Sequence, residues 1–302
     1  MKLYYFKAED GNVGDDLNAW LWPKVIGEVL DDDNSHLVIG VGTLLNHRIP
    51  LAEKYSVLSS GVGYGSAPPL STGMWEFIAL RGPKTQEAVN AKEVGCLLDG
   101  AYLMPRYFQP DTKKRYPVAY IPHVDSVKFG QWQEVCKMAD IKFIDPRWPV
   151  EKFINELNSC EKVLTEAMHG AILADAYDIA WHPVKAYDYI NDFKWQDWAQ
   201  SLSLDITFSI IPPTWKGDIG LNAKSTIVNK IKRLSKSLGY LPQSWTPPPT
   251  PQSKKGHLQK VAKQLLNLAA TQEFKVSDKS LREKKTDQLV TTINKFVTTN
   301  TK

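Results

Sequence analysis

Four stretches of this sequence set titratable side chains beside glycine or at the end of an apolar run, where a backbone turn can present them to a ligand. "EDGNVGDDLNAWLW" (9–22) brackets Asn12 with Gly11 and Gly14, then passes Asp15 and Asp16 into a helical pattern. Two roles stay open here. Asn or Asp can cap the helix, or the glycines can admit a ligand whose anionic part meets backbone amides while Asp15 stays close. No Gly-Lys-Ser/Thr follows, and the glycine spacing is not that of a dinucleotide turn. "ALRGPKTQEAV" (79–89) puts Arg81 between an apolar strand and a helix whose first turn holds Pro83. A guanidinium at the carboxyl edge of a parallel sheet is suited to gripping phosphate or carboxylate. "AYIPHVDS" (119–126) ends a strand near His123.

The fourth stretch, "VLTEAMHGAILADAYDIAWHPV" (163–184), carries Thr165, Glu166, His169 and Gly170. Thr165 is expected to cap a helix, with Glu166 in its first turn. His169 adds a group titrating near neutral pH beside free backbone donors, and Gly170 permits close approach. Any one of these histidines is equally at home in a core. Their recurrence at several strand ends is what points to one shared cleft.

The elements that must position them alternate. Strand patterns at 2–6, 36–45, 55–65, 75–81 and 94–104 are followed by glycine loops or helical periodicity. A second series starts near 116, with strands at 117–124, 141–147, 161–165 and 179–184. Helices are expected at 17–30, 149–160 and 193–204, and a further amphipathic one on Leu258, Val261, Leu265 and Leu268. Strand, glycine loop and helix in alternation predict an α/β fold of two Rossmann-like domains, residues 1–112 and 113–240, facing a cleft. Residues 241–302 form a Pro-rich linker and a basic amphipathic tail.

Composition supports an ordinary soluble chain. It has 302 residues, 43% hydrophobic and 23% charged, with a net charge of +4. That charge is unevenly spread: residues 1–215 balance to −8 and residues 216–302 to +12. A basic tail suggests an anionic partner. An anionic membrane face suits it better than nucleic acid, since the interleaved aromatics of a single-strand binder are missing. No apolar run is long enough to span a bilayer and no signal-peptide pattern opens the chain, so a cytoplasmic location is expected. Cys96, Cys136 and Cys160 lack metal-ligand spacing and are expected as buried thiols.

Taken in order, Gly-Asn-x-Gly-Asp, Arg-Gly-Pro-x-Thr, "LLDGAYLM", "YIPH", "EAMHGAI" and "FKW-DW" resemble the polysaccharide pyruvyl transferase family, across about residues 1–210. The closest likeness is to the exopolysaccharide ketal-pyruvate transferase branch. The resemblance implies a GT-B-like pair of domains and phosphoenolpyruvate as co-substrate, with no other cofactor and no metal. It also implies a lipid-linked oligosaccharide acceptor and a cyclic pyruvate ketal as product. On that reading His169 is the acid, Asp15 the base with Asn12 orienting it, and Glu166 an alternative base. Arg81, Gly14, His123, Thr165 and Gly170 would bind the donor. One departure stands out: Ala167 occupies the place of a family arginine, leaving Arg81, then Lys84, Arg106 or Arg147, as the replacement cation. Two rival functions share the sequence features, a GT-B glycosyltransferase and a non-catalytic scaffold of the assembly complex.

Overall fold

A computed structural model describes residues 1–214, 223–241 and 253–301. Two wholly parallel sheets organise it. The first runs β1 (Lys2–Tyr4), β2 (His36–Ile39), β3 (Lys54–Ser60), β4 (Met74–Leu80), in that spatial order. The second contains β5 (Tyr116–Ile121), β6 (Lys142–Phe143), β7 (Cys160–Thr165), β8 (Ala180–Lys185) and β9 (Ser209–Ile210), ordered β6-β5-β7-β8-β9. All six residues from Tyr55 to Ser60 are buried. That suits a parallel strand covered on both faces, whose sequence shows no inside–outside alternation.

Helices fill the connections: α1 (Val13–Ile26), α2 (Pro83–Ala88), α3 (Met104–Tyr107), α4 (Val124–Phe129), α5 (Trp132–Ala139), α6 (Val150–Asn158), α7 (Met168–Ala176) and α8 (Asp192–Ser201). Beyond the second sheet follow α9 (Ala223–Ser237), α10 (Lys255–Thr271) and α11 (Lys279–Asn300). The expected alternation is present, although two strands shrink. The run 94–104 contributes a single parallel bridge, Leu80 to Leu97, before a 3-10 turn at Gly100–Leu103. The run 141–147 yields only β6. The three cysteines are free and buried, as their spacing suggested.

The halves share one buried cluster, beside a further cluster that each keeps to itself. Leu17, Leu21 and Trp22 of α1 belong to the same buried cluster as Ile154, Leu173, Trp195 and Trp198 of the second half. Asp175 of α7 is a polar knot inside that cluster. It accepts from Tyr102 Oη at 2.8 Å, Trp181 Nε1 at 3.0 Å and the Ser277 amide at 2.7 Å, so three distant segments share one carboxylate.

The end of the chain departs from expectation. Residues 253–301 are not a free basic tail. Leu258, Val261, Leu265 and Leu268 of α10 pack with Val135, Cys136 and Ala139 of α5. Leu289, Ile293 and Phe296 of α11 join the shared core beside Leu98 and Cys96. An amphipathic period reads identically whether lipid or protein covers its apolar face, so the spacing alone does not distinguish the two. The Pro-rich stretch at 242–252 lies outside the described residues. Leu265, with no exposure, is expected to lose about 2–5 kcal/mol of stability on substitution by alanine. A chemical-denaturation midpoint unchanged in Leu265→Ala would show that α10 is not part of the folded body.

Candidate active site

The turn after β1 and the start of α1 build one wall of a cleft of about 690 Å³. Asn12 caps α1, its Oδ1 accepting from the Gly14 amide at 3.2 Å. Its other side-chain atom, Nδ2, donates to Asp15 Oδ2 at 2.7 Å. The two readings of this turn are therefore compatible: the cap residue also orients a carboxylate that lines the cleft. Burial pushes the Asp15 carboxyl up to about 6, against the opposing pull of His169, the Asn12 hydrogen bond and Lys194. The Val13 amide donates to Pro146 O at 2.7 Å, tying this turn to the second half.

The opposite wall comes from α7, α4 and α8. His169 is the second residue of α7, 14% exposed at the side chain, and lines the same cleft as Asp15. Its ring rests on Gly14: a methyl group there would run into His169 Nδ1 and Cγ. Gly14 thus clears space for the His169 ring rather than for a ligand. The other ring nitrogen, Nε2, is sealed and has no hydrogen-bond partner. It faces Asp99 Oδ2 at 3.7 Å, itself buried and without a partner. Asp99 Oδ1 is fixed by the Ala101 amide at 2.9 Å. The Asp99 carboxylate thus stands behind the ring, on the Nε2 side, while Nδ1 lies against Gly14. Asp99 was not singled out from the sequence, although its motif "LLDGAYLM" was; an Asp opening a 3-10 turn reads as a cap.

His123 caps α4, its Nδ1 accepting from the Asp125 amide at 3.3 Å. Burial, aided by the nearby Lys194 charge, holds it down to about 3. It is therefore a neutral imidazole at physiological pH, and with Nδ1 accepting, Nε2–H is its free donor. Lys194 of α8 is the residue that sequence reasoning missed. It is only 7% exposed yet lines the cleft. Its ammonium donates to Tyr64 Oη, and among the described residues no carboxylate pairs with it. A nearly buried ammonium with no ion-pair partner among the described residues, beside Asp15 and His123, can meet an anion.

Several expected site residues fall elsewhere. Arg81 has no exposure and does not reach the cleft. Its Nε donates to Asp197 Oδ2 at 2.8 Å, Nη1 to Thr43 Oγ1 at 2.8 Å and Nη2 to Val62 O at 2.6 Å. The same Asp197 accepts from the Thr85 amide at 2.8 Å and hydroxyl at 2.6 Å. The Arg-Gly-Pro-x-Thr segment is thus an inter-domain lock on α8. Glu166 is fully buried and accepts from the His123 amide at 3.1 Å and the Ala186 amide at 2.9 Å. It braces two loops and does not line the cleft. Thr165 is buried too, its hydroxyl bonded to the Ala167 amide at 3.1 Å, and Ala167 rather than Thr165 is the cap residue of α7. Gly170 lets α7 press on Thr165 and Ile121. Each of these residues is adjacent in sequence to the cleft but turned inward, a distinction that spacing does not carry.

No protein-family model matches the chain. Succinoglycan biosynthesis protein ExoV of Rhizobium meliloti (strain 1021) is 38% identical to it over 210 residues, covering 68% of this chain. The chain belongs to the polysaccharide pyruvyl transferase family. The match spans 66% of the relative, just under two thirds of its length. Family membership bears out the resemblance read from the ordered motifs. Of the cations weighed against the missing family arginine, Lys84 stacks on Phe193 at 5.6 Å and Arg106 pairs with Asp287. Arg147 lines the cleft but is already bound by Asp145 at 2.7 Å.

Two outcomes follow from this geometry. Arg81→Met removes one partner of a buried pair and should lower stability by about 3–5 kcal/mol, read as a shifted unfolding midpoint. An Arg81→Met variant of native stability would return Arg81 to the list of ligand contacts. Gly14→Ala should keep the fold at a cost of about 1–3 kcal/mol while displacing His169, seen as a changed imidazole resonance by NMR.

Proposed function

We propose that this protein transfers pyruvate from phosphoenolpyruvate to a sugar of an exopolysaccharide repeat unit, forming a cyclic ketal and releasing phosphate. The observation that carries this reading is the unneutralised Lys194 ammonium set in one cleft with Asp15 and His169, in a chain of this family. The relative's name, succinoglycan biosynthesis protein, supports a role in polysaccharide assembly; that the acceptor sugar is carried on a lipid belongs to the proposal. The two parallel layers around a shared cleft fit a GT-B-like arrangement of the domains.

Lys194 would meet the donor's phosphate or carboxylate, and His123 Nε2–H would add a neutral hydrogen bond. His169, held from behind by Asp99, would deliver a proton to C3 of the enol, turning the methylene into a methyl group. C2 then carries oxocarbenium character, which the Asp15 carboxylate favours electrostatically. Asp15 takes the proton of the first sugar hydroxyl as its oxygen attacks C2. Phosphate leaves C2 with the C–O electron pair, and the second hydroxyl then bonds to the oxocarbenium carbon so formed, its proton passing to the departing phosphate as the ring closes. No residue of the site needs to form a covalent intermediate.

The reading is tested by incubating the protein with phosphoenolpyruvate and a lipid-linked oligosaccharide. Release of phosphate with a product heavier by one pyruvate less one water is expected. Release of a nucleotide from a sugar nucleotide, with no use of phosphoenolpyruvate, would identify a glycosyltransferase instead. Lys194→Met should raise the apparent donor KM about 10- to 100-fold, the loss of one charge-assisted hydrogen bond. The pH dependence has a definite sign. A base must be ionised, and the Asp15 carboxyl is pushed up to about 6, so kcat/KM should fall as pH drops through about 6. Asp15→Asn should lower kcat about 10²- to 10⁴-fold and abolish that acid limb. An acid limb that persists in Asp15→Asn assigns the base elsewhere.

A further inference from the structure

Helix α9 is built the wrong way round for a helix lying on a folded body. Ile227, Ile231, Leu234 and Leu238 follow a four-three-four spacing that carries one stripe through the helix and into the residue after it. These four side chains are 58%, 59%, 61% and 62% exposed, with Val228 and Tyr240 also exposed beside them. Among the residues of this helix whose burial is described, the buried one is the polar Asn229. At about 100° per residue it lies roughly opposite the stripe. A surface helix ordinarily turns its apolar face to the core and its polar face to water; α9 does the reverse. Four large aliphatic side chains in one contiguous exposed row mark an interaction surface.

Charge decides what the row meets. Residues 223–241 carry Lys224, Lys230, Lys232, Arg233 and Lys236, and no Asp or Glu. Lys224 and Lys230 flank the stripe, roughly 60° to either side of Ile227. Their amines can reach outward past the aliphatic row, the arrangement in which lysine stems lie along apolar surface and ammonium groups contact phosphates. An exposed aliphatic stripe edged only by cations describes an interfacial helix. By contrast, the apolar face of α10 is already occupied by α5, so the membrane contact expected of the chain's end is unavailable there.

We propose that α9 is a docking helix that lays its aliphatic stripe into the headgroup region of an anionic phospholipid surface. The proposal rests on α9 alone and its test needs no turnover, so it stands or falls separately from the transfer reaction. Binding of the full chain would be measured by flotation with phosphatidylcholine vesicles, with and without phosphatidylglycerol. Wild type should float with the anionic vesicles, at least tenfold more weakly with neutral ones, and less in high salt, which screens the lysines. The triple variant Ile231→Glu/Leu234→Glu/Leu238→Glu should lose binding at least tenfold while its thermal unfolding is unchanged. Lys224→Gln/Lys230→Gln should weaken binding and flatten its salt dependence. Wild type that floats with no vesicle, or a triple variant that floats as well as wild type, overturns the proposal. So does a concentration-dependent dimer in sedimentation that the triple variant abolishes, which would make a second copy of the chain the occupant.

Discussion

Arg81 sits without exposure between the two α/β halves, and its charge is met by Asp197 from the second half while Thr85 closes on the same carboxylate. Taking two charges out of water is costly, and their attraction repays that cost only when every donor is matched. Here the donors are matched: Nε and both terminal nitrogens of Arg81, and the amide and hydroxyl of Thr85, all have partners. Such a lock tolerates one geometry. It therefore fixes how α8 lies on the first half, more than it adds to stability.

That registration is what makes the cleft. Asp197 and Lys194 are three residues apart on α8, hence on neighbouring positions of one helical face. With Asp197 pinned by Arg81, Lys194 is carried to the cleft wall beside Asp15 and His123. The Asp175 knot acts in parallel, joining Tyr102, Trp181 and Ser277 around α7, the helix that bears His169. Because Gly14 lies against the His169 ring, the walls meet closely enough for burial to shift the titration of Asp15 and His123. Fold and site electrostatics have one cause, the packing of the halves on a common core.

Much of the fold was legible in the sequence. Glycine loops after apolar runs, and helical periods between them, pointed to both parallel sheets and to α1, α2, α6, α7, α8 and α10, whereas α3, α4, α9 and α11 had no such reading. The weak points were short strands such as β6, where two residues of pairing leave little pattern to read. Within the site, Asn12 and His123 were legible as helix caps at a sheet edge, and Asp15 and His169 as titratable residues in the first turn of a helix there. Arg81 and Glu166 satisfied the same criterion and proved to be internal. A buried ion pair and a cleft-lining charge occupy identical sequence contexts, and only the partner, 116 positions away for Arg81, tells them apart.

The sequence by itself determined the α/β alternation, the turn that holds Asn12 and Asp15, and the membership of a family through motifs in order. Those are local properties, set by periodicity, caps and glycine. Tertiary structure alone decided that Lys194 rather than Arg81 faces the cleft, that Asp99 stands behind His169, and that α10 is covered while α9 is not. Each of those outcomes depends on which residues from distant segments exclude water from one another, and no window of sequence contains both members of such a pair.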